Sequence, residues 1–386
     1  MKDGWLTKKL GELCEIELGR TPARANVAFW DKKRETNNVW LSIADLLKAE
    51  NNVVVDSKEY VSDKGAKVCK LVPKGTLLVS FKLTLGRLAF AGRDLFTNEA
   101  IAALSIFKES ELSKEFLFYF LHFFDWIGAA ENDVKLKGMT LNKAKLKEID
   151  VHFPNSLAEQ QRIVGLLDEA FDNIAAATHN TEKNLHNARA LFESYMQSVF
   201  TQHGKDWAET TVDQISTNLD SQRVPITKNV RTSGEYPYYG ASGIVDYVGD
   251  YIFEGDTLLV SEDGANLLAR STPIAFSVSG KYWVNNHAHI LKFDNIATQR
   301  FVEFFLESIK LDEYITGAAQ PKLNQKALNS IPIWIPNSVD EQASIVESVE
   351  TLQEETQRLA SIYERKLVAC ETLKKSLLHD AFAGEL

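Results

Sequence analysis

Along residues 157–200, apolar or small side chains recur at Ile163, Leu167, Ala170, Ile174 and Ala177, then at Leu185, Ala188, Phe192, Tyr195 and Val199. The steps alternate between four and three residues, which is the signature of a heptad seam. The same seam returns 182 positions later as Ile345, Val349, Leu352, Thr356 and Leu359, then Leu367, Cys370, Lys374, Leu377 and Ala381. The spacing predicts two long helices, over 157–200 and 339–382, each about 60 Å long at 1.5 Å per residue. Neither helix buries its stripe alone, so the two are expected to pair with each other. Paired antiparallel, they would form a spacer with the remaining parts of the chain at its two ends.

The rest of the pattern is α+β. Val39-Trp40-Leu41-Ser42-Ile43, residues 76–81, 88–91 and 101–107 are strand-like. The run 116–121 reads as part of a buried helix over 111–127, and Asn142 as the N-cap of a short helix. Residues 149–154 alternate as a strand that hands over to the first long helix at Pro154-Asn155. A second segment repeats the plan. Trp207 with 212–215 echoes Trp5 with 10–13, Thr257–Ser261 echoes 76–80, and 301–306 echoes 116–121. From Leu323 onward the offset locks at 182. The expected order is globular, helix, globular, helix, with boundaries at 1–156, 157–203, 204–338 and 339–386. Two similar halves in one chain imply a pseudo-two-fold arrangement, a covalent form of an isologous dimer.

Charge divides unevenly over this plan. Residues 1–156 carry 24 basic and 21 acidic side chains, and residues 201–338 carry 11 and 16. The whole chain has a net charge of −10, so it does not hold nucleic acid through a bulk basic field. The longest apolar runs are too short to span a membrane, and the start does not read as a signal peptide. Cys14, Cys69 and Cys370 lie far apart, which suits the cytoplasm and argues against a disulfide scaffold or zinc site.

The motifs point to binding rather than catalysis. The glycine-rich phosphate loops, H-E-x-x-H, G-x-S-x-G and the tetrapeptide of amino-methyltransferases are all missing. His287 and His289 would share a strand face, but no carboxylate or cysteine stands at ligand spacing from them. Lys82, Thr84, Gly86 and Arg87 form a loop suited to phosphate or guanine contacts, or else a solvated hairpin. Lys32, Lys33 and Arg34 form a basic cluster near Trp30, or a solvated loop. Tyr238, Tyr239 and Ser242 belong to a glycine-and-tyrosine loop. In the turn after Ser261, Glu262 or Asp263 would suit cytosine and Asn266 adenine, unless they only shape the turn. Arg270 completes the candidate set. Asn285-Asn286-His287 is expected to serve the local fold. Glu159-Gln160 and Glu341-Gln342 sit in the first turn of each long helix, where capping explains them.

Taken together and in order, these features resemble the specificity subunit of type I restriction-modification systems. The carriers are Gly19-Arg20-Thr21-Pro22, Trp40-Leu41-Ser42-Ile43, residues 74–78, 80–87 and 97–100, then 238–243, 264–266 and 285–289, with the strand-to-helix junction occurring twice. The resemblance implies two target-recognition domains, each reading half of a bipartite double-stranded DNA site. It implies an antiparallel helical pair that fixes the gap, with two modification (methyltransferase) subunits docking along it. S-adenosylmethionine would belong to those subunits, and ATP and Mg to restriction subunits that translocate and cut. This chain itself would hold no cofactor or metal and would not be an enzyme. Two other readings stay open. One is the specificity subunit of a type II-like enzyme, with modification and cleavage in one partner. The other is a two-headed coiled-coil adaptor between proteins.

Overall fold

The computed structural model describes residues 4–130, 134–135, 138–317 and 319–386. The chain divides into two compact units, Met1–His179 with Leu367–Leu386, and Asn180–Lys366. Two 45-residue helices, Leu157–Thr201 and Val339–Ala383, each begin in one unit and end in the other.

In the first unit, Ile163, Val164 and Leu167 share a core with Leu378 and Ala381. Lys374 lies over the Phe171 ring at 5.0 Å, and Arg162 donates to the backbone of Leu386 at 2.9 Å. Numbers rise on one helix as they fall on the other, so this pairing is antiparallel. In the second unit, Met196 and Phe200 share a core with Val346 and Val349, and Arg189 meets Glu364 at 2.9 Å. The sense is again antiparallel. Ala188 is buried, and Ala170, Ile174, Leu185, Ile345, Leu352, Leu359, Leu367 and Cys370 are half-buried, all on the seam side. The step missing from the sequence pattern between Ala177 and Leu185 is filled by Thr181, which is buried.

The two larger sheets of the first head sit beside a three-stranded one of Val134–Lys135, Gly138–Thr140 and Lys82–Leu83. One of the larger two has the order Cys14–Leu18, Ile101–Ile106, Leu77–Ser80, Leu88–Ala91, Val53–Val54. The other has the order Glu59–Tyr60, Val39–Leu41, Leu95–Thr97, Leu71–Val72. The second head repeats the first of these as Thr217–Asn218, Ala288–Lys292, Thr257–Ser261, Ala275–Val278, and the second as Gly243–Val248, Ser233–Gly240, Lys281–Val284, Phe253–Glu254. In both second sheets the middle pair is parallel and the outer pairs are antiparallel. Each head is closed by an antiparallel pair of its first and last strands, Trp5–Lys9 with Asp150–Pro154 and Trp207–Thr211 with Pro332–Pro336.

Two local expectations change. The helix expected over 111–127 is split into Lys114–Phe123 and Trp126–Ala130, because Phe124 leaves helical geometry and the Trp126 indole donates to Leu121 O at 2.8 Å. The glycine-and-tyrosine segment is a β-hairpin rather than a loop, turning at Ala241-Ser242 with Gly243 at φ +115°.

Each head is bolted to its long helix by a buried glutamine. Gln160 donates to Glu111 O (2.9 Å) and Pro154 O (2.8 Å) and accepts from the Ser113 amide (2.8 Å). Gln342 donates to Pro336 O (2.7 Å) and accepts from the Thr298 hydroxyl (2.6 Å). Capping alone does not describe these residues, since their side chains reach back into the head. Replacing Gln160 by Leu would remove the partner of three backbone groups, of which the buried Pro154 carbonyl would cost about 1–3 kcal/mol when left unpaired. A chemical denaturation curve of Gln160→Leu should therefore show its midpoint clearly below that of the parent chain.

Candidate nucleic-acid interface

The strongest parallel between the heads lies at corresponding places in their second sheets. In the first head, the Arg24 guanidinium sits 4.2 Å from the Trp30 ring and 4.7 Å from the Trp40 ring, and both its terminal nitrogens bond the Glu59 carboxylate. Trp40 and Glu59 are cross-strand partners. In the second head, Arg231 sits 4.2 Å from the Tyr238 ring and donates to Asp246 at 3.0 Å. Tyr238 and Asp246 are likewise cross-strand partners. The Arg231 hydrogen bond holds the Asp246 carboxyl below its ordinary value. An arginine from the preceding loop is thus stacked on an aromatic ring and paired with a carboxylate in both heads.

The aromatic residues also anchor the loops. The Trp40 indole donates to Arg20 O at 3.1 Å and the Trp30 indole to Ala23 O at 3.3 Å. The Trp283 indole donates to Val224 O at 2.7 Å, and the Tyr238 hydroxyl meets Ile226 O at 3.4 Å. In the first head this arrangement borders a cleft of about 350 Å³, lined by Arg24, Val27, Trp30, Lys32, Lys58 and Tyr60 among others.

The candidate residues fall into different settings. Lys32 is exposed on the cleft, and Lys33 is exposed with Glu35 at 3.9 Å. Arg34 is held by Asp56, Ser57 O and the Tyr60 ring, so it braces the fold. Lys82 lies over Phe81, Thr84 is exposed, and Arg87 donates to Ile43 O at 3.4 Å. Gly86 takes φ +72° against Trp126, where an added Cβ would come within 2.3 Å of the indole. Tyr238 is buried and Tyr239 half-buried, so they form the core of the hairpin, while Ser242 is exposed at its tip. Asn266 bonds Ser271 and Thr272, and Arg270 donates to Leu306 O and Ile309 O. Both therefore shape the local chain instead of facing outward. Asn285 accepts from the His287 amide, and the His287 ring meets Asp263 at 2.9 Å.

Glu262 belongs to an inward-facing ion network that also takes Asp220 and His289, which sequence spacing alone does not bring together. Ligand-type atoms of these three residues lie within 4.8 Å of one another. The carboxylates are already engaged by cations. Arg223 meets Glu262 at 2.7 Å and Asp220 at 3.5 Å, and Lys322 meets Glu262 at 3.1 Å. The His289 ring faces Asp220 at 2.5 Å and Leu323 O at 2.8 Å. Burial pushes Asp220 upward, but the His289 hydrogen bond and charge, the Ile290 amide and Arg223 outweigh it and hold the carboxyl below 3.8. Glu262 follows the same logic, with burial overcome by Arg223 and Lys322. Arg223 and Lys322 offset the two carboxylates, and these contacts pin three loops of the second head together.

This geometry defines a class: a duplicated, two-headed recognition module whose loops are stiffened by stacked arginines and carried on paired helices. The profile of the type I restriction modification DNA specificity domain matches residues 2–186 and again 204–364. The chain belongs to that family and carries its domain twice. A type I restriction enzyme specificity subunit of Escherichia coli is 23% identical over 367 residues, covering 90% of this chain and 88% of that protein. A putative one from Haemophilus influenzae is 34% identical over 141 residues, 36% of each chain, so only about a third of that relative's length is matched. The fold is that of a chain solved in a study of complex assembly and conformational transition of the type I R-M system (TM-score 0.74, 14% identity, 100% and 99% coverage). It is also that of the HsdS subunit from Thermoanaerobacter tengcongensis (TM-score 0.62, 14% identity, 100% and 98% coverage).

Because the folded-state values of Asp220 and Glu262 are lowered, their contribution to stability is present above the ordinary carboxylate range. It is lost as pH falls through the lowered values. Asp220→Asn should flatten the acid limb of the second head's stability below about pH 4. Denaturation midpoints measured from pH 7 down to pH 3 test this, and parallel acid limbs for parent and variant would count against it.

Proposed function

We propose that the chain, a type I DNA sequence-specificity subunit, divides its work between unlike heads. Each head reads one half of an asymmetric bipartite duplex site, and the antiparallel helices hold the two readings at a fixed separation. Two modification subunits dock along the helices and supply S-adenosylmethionine and the methyl-transfer chemistry. Restriction subunits add ATP- and Mg-dependent translocation and cleavage. The chain itself contributes recognition, not catalysis. We place this work in the cytoplasm; among the described residues no helix is long and apolar enough to cross a membrane. The observation that carries this reading is the pair of specificity domains, each joined to a long helix by the same buried glutamine.

Co-expression with the cognate modification subunit, followed by mapping of methylated bases, tests it. A bipartite motif with one gap length is the expected result, and methylation without a fixed gap would overturn it. Inserting one heptad at facing positions of both helices keeps the seam and lengthens each by about 10.5 Å. The gap should then grow by about three base pairs at about 3.4 Å each, with both half-sites unchanged. An unaltered gap would refute the spacer role.

A further inference from the structure

We infer that the loops held by the two stacked arginines, residues 20–31 and 219–231, are the segments that read the duplex. Val27 would do so in the first head, with Lys32 and Lys58 beside the loop on the same cleft, and Val224, Val230 and Lys228 in the second. The inference rests on the reading of the chain as a two-headed DNA specificity subunit.

The two loops occupy the same place in the topology. One connects Cys14–Leu18 to Val39–Leu41, and the other connects Thr217–Asn218 to Ser233–Gly240. Each therefore passes from the first sheet of its head to the second. Each carries a valine on a single 3₁₀ turn, Val27 in Val27–Phe29 and Val230 in Lys228–Val230. These valines are 71% and 68% exposed, and Val224 is 52% exposed. Aliphatic groups held out in water by an otherwise anchored loop are free to meet a partner surface. In a DNA groove, such groups meet thymine methyls. Lysines stand beside them. Lys32 and Lys58 are exposed on the first cleft and form no ion pair among the described residues, while its Arg24 and Glu59 neutralise each other. Lys228 is exposed next to Val230. Unpaired lysines rimming an apolar tip suit phosphates flanking a base edge.

The anchoring makes the loops fit for recognition. Stacked arginines and indole or phenol donors fix the loop backbone before DNA arrives, so less ordering entropy is lost on binding. Arg24 and Arg231 are thus positioning residues. The competing surfaces are more fully used by the protein itself. The turn after Ser261 is tied into the ion network, and Arg270 is bound to backbone carbonyls. All four arginines of the second head are engaged internally, Arg223, Arg231, Arg270 and Arg300. The first head accordingly contributes more of the phosphate attraction, and the second reads with fewer cations.

The test uses the full chain in complex with its modification subunit and a DNA library randomised over both half-sites. Val27→Ser should reduce discrimination at one base pair of one half-site by about tenfold and leave the other half-site unchanged. Val224→Ser with Val230→Ser should do the reverse. Lys32→Ala with Lys58→Ala should weaken binding to all sequences alike and lower the slope of log affinity against log salt by about 2. These side chains are exposed, so thermal unfolding of each variant should match the parent and separate a reading defect from a folding one. If the parent complex selects a bipartite site while all these variants keep its preferences and salt slope, the loops are not the readers, although the function stands. If the parent complex shows no sequence preference, both readings fall together.

Discussion

A buried carboxamide joins each head to its helix, and the remaining architecture hangs on that joint. The glutamine leaves the first helical turn and enters the head, where it meets the carbonyl that ends the last strand. It also meets a group at the start of the head's buried helix, the Ser113 amide in one case and the Thr298 hydroxyl in the other. A donor and acceptor on one planar group fix direction as well as distance. Since an unpaired buried amide is costly, the joint has one low-energy geometry. A flexible hinge here would decouple the heads from the helices that carry them. The same joint appears in both halves, at Gln160 and Gln342.

The two heads share topology and differ in how they use charge. The first keeps exposed lysines around an aromatic cleft. The second turns its arginines inward, where Arg223 ties Asp220 and Glu262 into one network with His289 and Lys322. Inward ion pairs specify a loop geometry more than they add stability. Exposed lysines do the opposite, since they leave the loop's shape alone and raise attraction for a polyanion.

The helices and their junctions were legible in the sequence because a heptad tolerates no insertion, so the duplicated halves keep one offset through Ile163 and Ile345. The two sheets were only partly legible. The arginine clamp was not visible at all. Its parts, Arg24 with Trp40 and Glu59 and Arg231 with Tyr238 and Asp246, are separated by different loop lengths in the two heads. They are also built from different aromatic and acidic residues, so no fixed spacing links them, and only strand pairing makes them equivalent. Tyr238 and Glu262 stood out in the sequence as a tyrosine beside glycine and an acid in a turn. Burial and ion pairing turned both inward. The reach of Gln160 was hidden because a polar residue in a first helical turn already has a sufficient explanation in capping.

Phe382 packs against Phe116, Phe120 and Phe123, so the core of the first unit includes residues from the far end of the chain. During synthesis, that unit must wait for the whole of Asn180–Lys366 to leave the ribosome before its aromatic face is covered. At about 5–20 residues per second the delay is about 10–40 s. The nascent first head spends that interval with its phenylalanine cluster uncovered, whereas the second unit is one continuous stretch, Asn180–Lys366, and waits for no distant segment.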